Sequence, residues 1–142
     1  MRRKVNIPFI EFDSKVPVIK LRLGDEELHA LVDTGSESTL MDEKLKENKK
    51  IKIKDLEHDM SFVGLNGQTE NKRIFVLSGK FFHEDAEIKI GGISADLSGI
   101  SAHLKKNYGT DIQISALLGC DFLDCYRAVV DFDNHELVLY EK

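Results

Sequence analysis

The apolar run Ala30-Leu31-Val32 leads straight into Asp33-Thr34-Gly35-Ser36, and no other feature constrains the fold of this chain as strongly. A strand that ends at Asp33 sets its carboxylate at the floor of a cleft. Thr34 offers a hydroxyl that can lock the local backbone or reach a partner chain, and Gly35 lets main chain pass close to the acid and donate an N–H to it. Ser36 adds a further possible donor. The same residues are also turn formers that commonly lead out of a sheet, and Asp-Thr-Gly arises by chance in roughly a few per cent of chains this long. A distant second element strengthens the reading: Ala116-Leu117-Leu118-Gly119, two large apolar residues before a glycine.

A carboxylate presented in this way can serve amide hydrolysis only as half of a pair. Without a metal or covalent nucleophile, one carboxylate must take a proton from water while a second, still protonated, polarises the carbonyl. Two carboxyls held about 3 Å apart cannot both ionise, so identical residues acquire opposite roles. The chain carries one such motif, and the second acid is expected from a second copy.

Leu31-Val32-Asp33-Thr34-Gly35 and Leu117-Leu118-Gly119 together resemble the retropepsins, the dimeric aspartic proteases of retroviruses, retrotransposons and related cellular and bacterial proteins. A third match is Ser61-Phe62-Val63-Gly64-Leu65-Asn66-Gly67-Gln68-Thr69, which is similar to the family's flap, a glycine-tipped hairpin that closes over bound peptide. Asn-Gly is in its own right a strong hairpin signal. The resemblance spans about Val16 to Leu139. It implies a closed acid-protease barrel with Asp33 catalytic and Thr34, Gly35 and Ser36 supporting it. Phe62 to Gly67 would form the flap, Leu118 and Gly119 the floor, and Leu31 and Leu117 would line apolar pockets beside the scissile bond. Two departures stand out. Retroviral members commonly carry Arg after the second glycine, paired with an acid just beyond the catalytic motif; here Cys120 leaves Glu37 without that partner. The segment from Gly91 to Ile114 is also longer than in compact viral members.

Composition fits one ordinary domain over 1–142, with 1–15 as an N-terminal segment, because 142 residues can bury a sizeable core. A net charge of −5 argues against nucleic-acid binding, which needs a basic surface. No apolar segment is long enough to span a membrane. Met1-Arg2-Arg3-Lys4 is followed by no apolar signal core, and the reading places the protein in the cytoplasm. Cys120 and Cys125 fit neither a disulfide framework nor a zinc pattern, and the five histidines show no ligand spacing. No metal and no cofactor are expected.

Mostly strands are predicted. Val16 to Leu23 and Glu27 to Val32 form a hairpin through Gly24-Asp25, with Asp33 at its exit. Leu40 to Glu47 reads as a short helix capped by Asp42, and the lysine-rich Asn48 to Lys54 as a solvated face among acids. Arg73 to Phe82 and Ala86 to Ile90 pair as strands, after which Gly91-Gly92 punctuates the chain. Ser98 to Tyr108 is helical with Gly109 as its stop. Asp121 caps a short helix through Tyr126, and strands Ala128 to Phe132 and Glu136 to Tyr140 close the chain.

The expected architecture is therefore a mainly β, closed barrel with one to three short helices, working as a symmetric homodimer on an extended peptide or protein substrate. The rival reading is a catalytically silent module of the same fold that dimerises or binds peptide.

Overall fold

A computed structural model describes residues 3–12, 16–63 and 67–141, with side chains described outside 54–63 and 69–73. Alternation in Val18–Leu23 (β2) puts Ile19, Leu21 and Leu23 inside and leaves Lys20 and Arg22 in solvent. The chain reverses at Gly24, whose φ of +63° suits glycine, and returns antiparallel as Glu26–Val32 (β3) in the register Val18↔Leu31 to Leu23↔Glu26. After the loop from residue 33 to 39 come Leu40–Asp42 (β4) and a single 3-10 turn, Glu43–Glu47. Two long strands, Lys52–Val63 (β5) and Thr69–His83 (β6), pair as a hairpin, and β6 pairs next with Ala86–Ala95 (β7).

Helix Ser98–Tyr108 (α1) ends where Gly109 takes a left-handed φ of +69° and donates its N–H to the Lys105 carbonyl. Strand Ile114–Leu118 (β8) follows, then helix Cys120–Cys125 (α2) and strands Val129–Asp131 (β9) and Glu136–Tyr140 (β10). Lys4–Pro8 (β1), which the sequence did not mark as a strand, is paired antiparallel to β10 in a separate three-stranded sheet ordered β1, β10, β9.

The larger sheet closes on itself. Its order is β2, β3, β8, β4, β7, β6, and β6 returns to β2 at Arg22↔Phe82, giving the expected closed barrel of six strands with β5 added outside on β6. Inside are Ile19, Leu21, Ala30, Val32, Leu77, Phe81, Ile88, Ile90 and Leu118. On the opposite face of β3 and β8, Leu31, Ile114 and Leu117 join Val18 in a second cluster with Leu97 and Leu104, so α1 covers a sheet face that would otherwise be wet. The buried Ser101 hydroxyl of α1 accepts the Ile114 N–H at 2.9 Å, tying this cover to the start of β8.

Two local expectations are corrected. Leu40 to Asp42 is strand rather than helix, because β8 flanks it on one side and β7 on the other and supplies it with ladder partners; Asp42 still caps the turn after it, accepting the Lys44 N–H at 2.9 Å. Gly91-Gly92 does not interrupt the chain but lies within β7. The reason for glycine at 92 is closeness: a Cβ there would stand 2.7 Å from the Thr39 carbonyl oxygen, which accepts the Ile93 N–H at 3.0 Å. Gly92→Ala must push β7 away from the strand that follows the Asp33 loop. We expect a loss of about 1–3 kcal/mol, measurable by urea denaturation, with little change in the slope of the transition.

Candidate active site

Strands β3 and β8 run parallel with Leu31↔Leu117 and Val32↔Leu118 in register, so Asp33 and Gly119 leave the barrel in step. The Asp33 N–H donates to the Leu118 carbonyl at 3.0 Å. The chain then turns, with the Ser36 N–H on the Asp33 carbonyl (3.2 Å), and crosses the end of β8 to become β4 on its other flank. Gly119 passes beneath this arch. A Cβ on it would lie 2.6 Å from the Ser38 carbonyl carbon and oxygen and 2.8 Å from the Ser36 carbonyl oxygen, so no residue with a side chain fits.

Backbone rungs fasten the two segments: Cys120 N–H to the Ser36 carbonyl (2.7 Å) and Asp121 N–H to the Glu37 carbonyl (3.1 Å). A side-chain clamp completes them. The Thr39 hydroxyl, fully buried, accepts the Gly119 N–H at 3.1 Å and donates to Asp121 Oδ1 at 2.7 Å, and that oxygen also accepts the Phe122 N–H at 2.7 Å. The sequence reading missed Thr39 altogether and expected Asp121 to cap the helix; instead α2 begins at Cys120 with Gly119 as its N-cap, and Asp121 lies within its first turn, turned toward Thr39. The available signal was an acid two residues beyond the second glycine facing a hydroxyl at the end of the Asp33 loop, a pairing that only the crossing makes visible. Glu37, deprived of an arginine by Cys120, forms no ion pair among the described residues; backbone rungs and the Thr39–Asp121 bond hold the crossing instead.

On this platform Asp33 is half-buried, and its Oδ1 accepts the Gly35 N–H at 2.9 Å. A Cβ on Gly35 would be 3.2 Å from that oxygen, so glycine allows the close approach. Thr34 and Gly35 are exposed, and the Thr34 carbonyl accepts the Cys120 thiol at 3.1 Å. Ser36 does not serve the carboxylate: its hydroxyl donates to the Ser38 carbonyl at 2.8 Å and stiffens the arch. Leu118 is in the barrel core, whereas Leu31 and Leu117, 9% and 7% exposed, pack in the cluster with α1 residues. Of the expected flap, Phe62 and Val63 end β5 and Gly67, at φ +79°, precedes β6; Gly64, Leu65 and Asn66 lie outside the described residues. Val63 pairs with Thr69, so the segment joins a hairpin. Cys120 and Cys125 are both free thiols.

A closed barrel with an Asp-Thr-Gly loop seated over a glycine crossing defines an aspartic-protease fold of the retropepsin type. A family model described as "gag-polyprotein putative aspartyl protease" matches residues 19–124, and the chain belongs to that family. Among solved structures, a retropepsin-like aspartic protease from Rickettsia conorii aligns with a TM-score of 0.53 at 15% identity, covering 99% of this chain and 93% of that one. The EIAV protease in complex with the inhibitor HBY-793 aligns at 0.51 and 18% identity, over 87% of this chain and 100% of that one. The retroviral protease-like domain of Ddi1 from Leishmania major aligns at 0.50 and 11% identity, over 92% and 96%. No curated protein matches the sequence.

The clamp makes a graded prediction. Thr39→Val removes an acceptor from the buried Gly119 N–H and should cost about 1–3 kcal/mol. Asp121→Asn keeps an oxygen acceptor for both donors and should cost clearly less than Asp121→Ala. Thermal melting of the three variants checks the order; equal melting of all three and the parent would dismiss the clamp.

Proposed function

We propose that the chain is an aspartic endopeptidase whose active site forms between two copies, each giving one Asp33. The observation that carries this reading is the presentation of a single carboxylate on an exposed loop, oriented by the Gly35 N–H and standing on a platform that glycine alone can build. A two-fold axis beside Thr34 would bring Asp33 against its mate, and an isologous contact repeats every residue of the loop on both sides.

In such a pair one carboxyl keeps its proton and polarises the scissile carbonyl, while the other takes a proton from the attacking water. Attack gives a tetrahedral diol, and proton return to the amine releases the two products. Gly35 holds one oxygen of each acid, which leaves the other free to face the water. Substrate would lie extended between the Phe62–Gly67 segment and the floor made by Leu118 and Gly119, its main chain bonded in the manner of an added strand. Leu31 and Leu117 sit in the cluster roofed by α1, so any side-chain pocket they line has Leu97 and Leu104 as its wall. The segment between Gly91 and Ile114 thereby acquires a role in choosing substrate side chains. Proton transfer and water attack call on no metal or cofactor.

Asp33→Asn keeps an oxygen for the Gly35 N–H and nearly the same shape, yet cannot act as a base. Cleavage of a diverse peptide library, followed by sequencing of the products, should fall by at least about a hundredfold in this variant, with melting unchanged. Cleavage by the variant at the parent rate would remove Asp33 from the mechanism, and an inactive parent would favour the silent module. Ser36→Ala supplies a second check: because its hydroxyl is engaged by Ser38, the pH profile of cleavage should keep its midpoints. A shift of those midpoints would return Ser36 to the carboxylate.

A further inference from the structure

At the end of the β2–β3 hairpin away from Asp33, a groove of about 850 Å³ opens on the outer face of β5, β6 and β7. Its cations come from separate stretches of chain: Lys50 before β5, Lys52 on β5, Lys80 on β6 and Lys89 on β7. Strand register explains why they converge. Lys80 and Lys89 are directly opposite each other, while Lys52 is opposite Ser78, which in turn is opposite Gly91. Positions two apart share a face, so Ser78 and Gly91 form a low floor ringed by Lys52, Lys80 and Lys89. Lys50 reaches in from the side, its ammonium filling the space that a side chain on Gly24 would need.

This arrangement is costly for the free protein. Like charges directly opposite on neighbouring strands repel, and here they gather on a chain whose net charge is −5. Lys80 meets Glu87 at 3.6 Å, but among the described residues Lys50, Lys52 and Lys89 form no ion pair. Phe82, half-buried and two residues along from Lys80, adds an apolar wall on this face, while Leu23 and Ile90 border the groove from the barrel core. The volume lies toward the upper part of the range of about 300–1,000 Å³ found for ligand pockets, far more than one small anion fills.

We propose that this groove binds an acidic peptide segment that also carries apolar side chains. Carboxylates neutralise the ring of ammonium groups, and the apolar side chains meet the Phe82 ring. A nucleic-acid strand fits the groove less well, since strand binding relies on a continuous basic track with several aromatic platforms. Phe82 is the aromatic ring in the lining, and Glu87 stands beside Lys80. The proposal concerns a site separate from Asp33 and holds whether or not the chain cleaves peptides.

The test uses the full chain carrying Asp33→Asn, so that a bound peptide is not consumed. A fluorescein-labelled peptide of Glu, Asp, Leu and Phe is titrated by anisotropy, with a Lys-for-Glu/Asp peptide as control and polyuridylate RNA and inorganic phosphate as competitors. Saturable binding is expected to weaken on the order of tenfold in the triple variant Lys52→Gln, Lys80→Gln, Lys89→Gln and to weaken with added salt. Without peptide the triple variant should melt at the same temperature as its parent or higher, because the repulsion is gone. Unchanged affinity in the triple variant, absence of saturable binding, or stronger binding of RNA or phosphate would each overturn the proposal. So would loss of self-association in the triple variant, which would assign the groove to a second copy.

Discussion

Two backbones share one narrow space where Gly119 passes beneath the loop from Ser36 to Ser38, and the geometry around Asp33 depends on that crossing. With contacts of 2.6 Å awaiting any Cβ, the segments are close enough for backbone rungs on both sides and for Thr39 to reach Asp121. Such a crossing is possible only because β8 lies between β3 and β4, strands joined by the very loop that carries the acid. The parallel pairing of β3 with β8 brings together residues far apart in the chain, a slow step in assembly. Its benefit is positional: the loop that carries the carboxylate cannot drift without breaking backbone hydrogen bonds from several directions.

Much of this was legible from residue patterns. The hairpin before Asp33 and the helix Ser98–Tyr108 with its Gly109 stop are local and pattern-driven, set by alternation and turn glycine, and the closed barrel was implied by the resemblance; the structure has all three as expected. The interlock of Leu31-Val32-Asp33 with Leu117-Leu118-Gly119 was expected from resemblance and is present as strand register. What escaped notice was non-local. Leu40 to Asp42 looks helical by its neighbours, yet strand partners on both sides overrule that preference. Gly92 looks like punctuation until Thr39 is seen against it. Ser36 was free to serve the carboxylate on paper, but the arch gives its hydroxyl a nearer acceptor in Ser38.

The substitution of Cys120 where an arginine is common also finds a physical account. An arginine paired with Glu37 would tie the two segments through long side chains near solvent, where ion pairs contribute little, about 0–1 kcal/mol. This chain ties them with short bonds around a buried hydroxyl, and the Cys120 thiol donates to the Thr34 carbonyl. A rigid platform under a half-buried acid is what the proposed two-copy site would require, since any play in one loop would be doubled across the axis.

Subunit mixing tests that central claim most directly. Wild-type chains at fixed concentration are titrated with Asp33→Asn chains and allowed to exchange before peptide cleavage is measured. If each site takes one carboxylate from each copy, mixed pairs hold half a dyad and activity falls steadily as the variant is added, by mass action. Activity that stays constant through a large excess of the variant would mean that one chain suffices, and the shared active site would have to be given up.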